Sequence, residues 1–277
     1  MTDLHAAAKR CLDATDPAEK LRLTHATWKA FLAGELRADP LSPPPRPIGA
    51  PGRPPRPLLV NARQVPQRGL GSAEGRAALV HAVAHIEFNA INLAWDAVYR
   101  YRDKPDDYYR DWASCANDEA HHFELLAGRL AELDHAYGDF DAHDGLWAMA
   151  EKTAHHDTAR MALVPRVLEA RGLDVTPGMI MRLRHLGDDA TVAILEVILL
   201  EEVAHVAAGT RWFRHCCERD GVEPVETFFE LLREHMGVSL RGPFNLPARR
   251  DAGFVDEELD RLVGLALQGD SPHNVAR

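Results

Sequence analysis

Cysteine is scarce: the 277 residues include four, Cys11, Cys115, Cys216 and Cys217. No two are spaced Cys-x-x-Cys and two are adjacent. That argues against a disulfide framework and for a reduced, cytoplasmic setting. Positive charge is also short. Thirty-two Lys and Arg face 42 Asp and Glu, a net charge of −10, so a nucleic-acid-binding surface is not favoured. Met1–Arg10 has no apolar run, so no signal peptide is expected. Long uncharged apolar runs are missing as well. The most apolar segment is interrupted by Glu196, Glu201, Glu202 and His205, so no membrane span is expected. What remains is a chain with 46% hydrophobic residues, enough for one large helical domain with appendages.

The organising stretch is residues 194–213, ILEVILLEEVAHVAAGTRWF. It lacks proline and reads as a central helix buried on all sides. Unpaired carboxylates are costly to bury, so Glu201, Glu202 and His205 call for compensation. Glu202 and His205 are three apart and share a helix face. The same spacing recurs at Glu119 and His122, and at Glu132 and His135. With 19 Glu and 15 His, composition alone produces about one such pair, so spacing by itself decides little. Phase decides more. Glu119 and His122 fall on the apolar stripe of Trp112, Cys115, Ala116, Phe123, Leu126 and Leu130. The equally spaced Asp118 and His121 fall on the polar side, and Glu132/His135 runs into a turn at Tyr137-Gly138-Asp139.

In chain order, residues 3–37 read as one or two helices. Residues 38–72, dense in Pro, Gly and Arg, read as an extended surface strap or as a ligand for a partner domain. Residues 73–101 and 106–133 form two long helices, the first with Glu87 centred in its apolar stripe. His81 and His85 lie on a neighbouring face. They read chiefly as packing groups, with metal ligation as the sharper alternative. Residues 134–144 form a polar loop, and a third helix is expected over Gly145–Arg171, stopped at Gly172 and kinked at Pro165. Thr176–His185 forms a short helix, 190–218 the central one, 224–236 another, 237–253 a loop and 255–268 a last helix. The expected organisation is 1–72 as N-terminal helices and strap, 73–219 as a four-helix bundle, and 220–277 as a helical extension.

Two inward Glu-x-x-His pairs and a lone Glu from each of two other helices form the ligand set of a dimetal four-helix bundle. Glu87 is the first lone carboxylate. For the second, Asp157 lies directly on the third helix's stripe, Glu169 lies near its end, and Glu151 is weaker. An internal repeat favours Glu169: Glu87 to Glu119 is 32 residues and Glu169 to Glu202 is 33, whereas Asp157 to Glu202 is 45. The repeat requires the third helix to continue to a turn at Gly187. A fold-back at Gly172 would favour Asp157.

This order resembles the ferritin-like superfamily. More closely, HIEFNAINLAWDAVYR, DEAHHFELL, YGDFDAHDGLW, LVPRVLEARGLD and EEVAHVAAGTRWF resemble a bacterial ferritin-like family described as a domain of unknown function, as do PGRPPRPLLV and PFNLPARRDAGF. The resemblance implies an all-α, ferritin-like four-helix bundle and metal binding. The LEAR segment around Glu169 is similar to the third-helix ligand segment of a tRNA-modifying hydroxylase in the wider superfamily. The metal ligands so expected are Glu87, Glu119, His122, Glu169, Glu202 and His205. Glu119 and Glu202 would bridge two Fe, or alternatively two Mn. The expected function is an oxidase or hydroxylase using O2. A manganese catalase-like peroxide-removing protein and a non-enzymatic metal-binding or scaffold protein are the alternatives. An electron-donor protein is an expected partner of the oxidase. Its substrate, a small molecule or a modified macromolecule, is not specified by the sequence.

Overall fold

A computed structural model describes residues 2–39, 41–237 and 240–269. The described chain is overwhelmingly helical. Among the described residues the strands are a parallel pair of two residues each, β1 (Thr2–Asp3) and β2 (Leu36–Arg37), too short to leave a sequence pattern, and an isolated bridge joins Leu59 to Ala142. The chain divides into two compact units, Met1–Lys152 with Leu186–Ile194, and Thr153–His185 with Leu195–Arg277. Residues 1–72 fall in the first, 220–277 in the second, and 73–219 are shared between them.

In the first unit, α1 (Leu4–Asp13) starts where Asp3 accepts the amides of His5 and Ala6, and α2 (Pro17–Leu32) where Asp16 accepts that of Glu19. Pro17 sits at the first turn, where its missing N–H costs nothing. The long helices are α3 (Ala73–Arg100), capped by Ser72, and α4 (Asp106–Glu132). They pack along each other, with α1 on α3 and α2 on α1 and α4. Lys20 is fully buried. Its ammonium donates to the Cys11 and Leu12 carbonyls at 2.6 and 3.2 Å and to Asn92 Oδ1 at 2.7 Å. One cation thus satisfies the open carbonyls ending α1 and ties α2 to α3.

The Pro- and Arg-rich stretch is a strap on this unit. The Gly52 amide donates to the Leu12 carbonyl at 2.7 Å, and Trp147 Nε1 donates to the Gly49 carbonyl at 2.7 Å. A β-carbon on Gly52 would lie 2.4 Å from the Asp13 carbonyl oxygen, so only glycine lets the strap come this close. By length and composition α3 is a candidate membrane span, contrary to the expectation that no segment qualifies, and 78% of its apolar window is buried inside the fold.

The third helix departs most from its expected outline. The short α5 (Gly145–Lys152) stops well before Pro165. In the second unit, α6 (Asp157–Leu163) begins after His156, whose ring accepts the Ala159 amide. A π-helical segment, Val164–Glu169, follows, and α7 (Ala170–His185) continues from it. Pro165 cannot donate to the preceding turn, and the wider π turn accommodates it. Gly172 does not end the helix. Leu173 beyond it is buried, and Asp174 is held by Arg249 at 2.8 Å, so tertiary contacts override the weak helix propensity of glycine. The turn comes at Gly187, whose φ of +73° suits glycine.

Helix α8 (Asp189–Asp220) begins in the first unit and runs on in the second. It is not buried on all sides, as its composition suggests: Ala193, Val197, Leu200 and Ala204 share an exposed face, Leu200 being 76% exposed. Glu202 and His205 lie on the buried side. Helix α9 (Pro224–Met236) follows, burying Phe228, Phe229 and Leu232. The stretch expected as loop over 237–253 contains α10 (Leu246–Asp251), capped by Asn245; positions 238–239 of that stretch lie outside the described residues. Helix α11 (Asp256–Gly269) ends the described chain.

Candidate metal centre

In the first unit, three ionisable groups from two helices converge. Glu87 projects from α3, and Glu119 and His122 from successive turns of α4; all three are buried. His122 Nδ1 lies 3.2 Å from Glu87 Oε2 and 3.4 Å from Glu119 Oε2. Burial drives the Glu87 carboxyl well above its usual range, and the neighbouring charge of Glu119 adds to this. Burial pulls the His122 imidazole down, but hydrogen bonds and charge from Glu119 and Glu87 outweigh it and raise the ring to about 11. One imidazole nitrogen is shared between two carboxylates, an arrangement a divalent cation fits as well as a proton does.

Cys115 was not a candidate from sequence, yet its thiol donates to Glu119 Oε1 at 3.9 Å. The signal was its place one turn before Glu119 on the same stripe. His121 is exposed and lies 3.9 Å from Glu124. The third Glu-x-x-His is a surface pair, with Glu132 held by Arg129 at 2.7 Å and His135 Nδ1 2.8 Å from the Asp134 carbonyl.

His81 and His85 hold the polar loop. His81 Nε2 accepts the Gly138 amide at 2.9 Å and its ring stacks on Tyr137. His85 Nδ1 meets the Tyr137 hydroxyl at 2.9 Å. Burial lowers both imidazoles to about 4, so they are neutral rings at pH 7.

In the second unit, Glu169 is the last residue of the π segment and is buried, as are Glu202 and His205 on α8. His205 Nδ1 lies 3.6 Å from Glu202 Oε1, one turn away. Asp157 opens α6 and is committed elsewhere. Its Oδ1 accepts from Arg219 Nη2 at 2.8 Å and from the Thr158 amide at 2.9 Å. The apolar stripe that recommended Asp157 assumed an unbroken helix, whereas a helix begins there. Glu151 is exposed on α5.

Fold and side chains together define an all-helical protein with buried carboxylate and histidine groups able to hold metal. The chain belongs to the family described as Protein of unknown function (DUF455), whose model matches residues 13–260. It is 40% identical over 271 residues to a protein of Haemophilus influenzae (strain Rd) named "Uncharacterized protein", covering 94% of this chain and 93% of that one. No solved structure matches.

Proposed function

We propose that Glu87, Glu119, His122, Glu169, Glu202 and His205 act as one ligand set for two metal ions, iron or alternatively manganese, in a ferritin-like dimetal carboxylate protein. The observation that carries this reading is the convergence of Glu87, Glu119 and His122 in a buried setting. Without metal, burial holds the Glu87 carboxyl protonated and the His122 imidazolium balances Glu119 alone; a metal dication would let both carboxylates ionise in the same buried place. The sequence repeat extends the reading to Glu169, Glu202 and His205, since each half supplies a lone Glu and then Glu-x-x-His. The donor set, four carboxylates and two imidazoles without thiolate, suits iron or manganese. Bound there, the metals would supply oxygen or peroxide chemistry.

The chain's own contribution is placement. Helix α4 sets Glu119 and His122 on one face, and α3 brings Glu87 against them. The π turn places Glu169 on the buried side of a helix whose regular continuation Pro165 interrupts. On this basis the function is an oxidase or hydroxylase using O2, with electrons from a donor protein. The test uses iron-loaded, reduced protein. The expected result is O2 consumption on mixing with buffer and little O2 release from added peroxide. Sustained O2 release from peroxide without an electron donor contradicts the oxidase and supports the catalase-like alternative.

A further inference from the structure

The second unit carries a half-open cavity of about 380 Å³, within the range of small-molecule sites, roughly 300–1,000 Å³. It is lined by four arginines, Arg166, Arg171, Arg241 and Arg249. Such a concentration is unexpected in a chain of net charge −10. Among the described residues, two carboxylates pair with these arginines. Asp174 accepts from Arg249 Nε and Nη2 at 2.9 and 2.8 Å, and Glu258 accepts from Arg166 Nη2 at 2.6 Å. Arg171 is 3.6 Å from the already committed Asp174, and Arg241 has no ion pair among the described residues. Positive charge is therefore in excess.

Arg166 is the sharper observation. Its guanidinium has no exposed surface and lies 4.3–4.7 Å from the ring centroids of Phe213, Phe228 and Phe254. Cation–π packing of this kind is commonly structural, and it accounts for the faces of the group. It does not account for the edge. Nε donates to Thr210 and Nη2 to Glu258, while Nη1 has no hydrogen-bond partner among the described residues. A buried guanidinium nitrogen normally has an acceptor. Nearer solvent, Arg171 donates to the carbonyls of Arg241, Gly242 and Pro243, which holds the 241–243 loop over the cavity. Phe228 and Phe244 supply apolar wall.

We propose that this cavity binds a small organic anion, a carboxylate or phosphate head on an apolar body. The positive field of the four arginines draws the head, which meets the accessible guanidinium groups of Arg171 and Arg241, whose planar fork matches carboxylate and phosphate oxygens. The body lies against the phenylalanines. The site belongs to the second unit alone and stands whether or not the buried carboxylates hold metal.

The test is calorimetric titration of the full-length protein with decanoate, octyl phosphate, inorganic phosphate and decyltrimethylammonium. Decanoate or octyl phosphate should bind at one site per chain, and whichever is tighter identifies the head. Inorganic phosphate should bind at least tenfold more weakly, and the alkylammonium should give no saturable heat. Arg166→Gln disturbs a buried ion pair and risks unfolding, so the exposed Arg241 and half-buried Phe244 carry the decision. Arg241→Gln and Phe244→Ala should each weaken the preferred anion at least tenfold while circular dichroism stays unchanged. Absence of binding by both anions, equal binding of the alkylammonium, or unchanged affinity in both variants overturns the proposal.

Discussion

Gly209 of α8 lies directly against Pro165: a β-carbon built on the glycine would come within 2.4 Å of the proline Cβ and 2.5 Å of its Cγ. The proline ring cannot swing away as a flexible side chain would. The missing side chain at 209 therefore seats the π turn that carries Glu169. Gly209→Ala should cost about 1–3 kcal/mol through overpacking and should lower metal content by displacing that turn. Gly172 is the contrast, since none of the described residues lies within 4 Å of its would-be β-carbon and its φ is not left-handed. Gly172→Ala should stabilise by about 0.4–1 kcal/mol. Urea midpoints check both. Equal and small effects would mean that the π turn does not rest on Gly209.

The two adjacent histidines of α4 give the next prediction. His122 is buried against Glu87 and Glu119, and His121 is exposed beside Glu124. His122→Ala should lower metal content measured by plasma mass spectrometry, and His121→Ala should leave it within error. Equal losses would show that ligation does not follow burial.

How much of this was legible can be judged from these same residues. The helical period placed α3, α4 and α8 to within a few residues, and the apolar phase separated His122 from His121. It failed where local signals competed with tertiary ones. Gly172 is a good stop by propensity, but the Asp174–Arg249 pair that keeps the helix running joins residues 75 apart. Pro165 announced a disturbance without saying that a π turn would absorb it. The apolar run at 194–213 suggested burial on all sides, and composition alone could not reveal that Val197 and Leu200 face outward. The strap's density of proline excluded helix, but not where it would lie; that depended on Gly52 approaching Asp13.

The fourth carboxylate is a separate test. Asp157 is held by Arg219 and the Thr158 amide, whereas Glu169 is buried in the π turn. Asp157→Asn should retain both metals. Glu169→Ala should leave at most about one tightly held metal of the two expected. The reverse pattern would return Asp157 to the ligand set.

Lys20 supplies a pH-dependent prediction away from the metal ligands. Burial lowers its ammonium from an ordinary value of 10.5 to about 8. Between these values the unfolded chain binds more protons than the folded one. Stability attributable to Lys20 therefore rises with pH over that window, by at most about 1.4 kcal/mol per unit. Relative to Lys20→Met, the natural protein should gain stability from pH 7.5 to 9.5 in urea titrations. Parallel curves would show that Lys20 does not titrate there.

The central claim is that these buried carboxylates and imidazoles are metal ligands. The most direct measurement is elemental analysis of protein purified from metal-replete cells without chelator. The account predicts about two iron or manganese ions per chain, lost in His122→Ala. Protein that is folded and metal-free, or that carries stoichiometric zinc retained in His122→Ala, would contradict it.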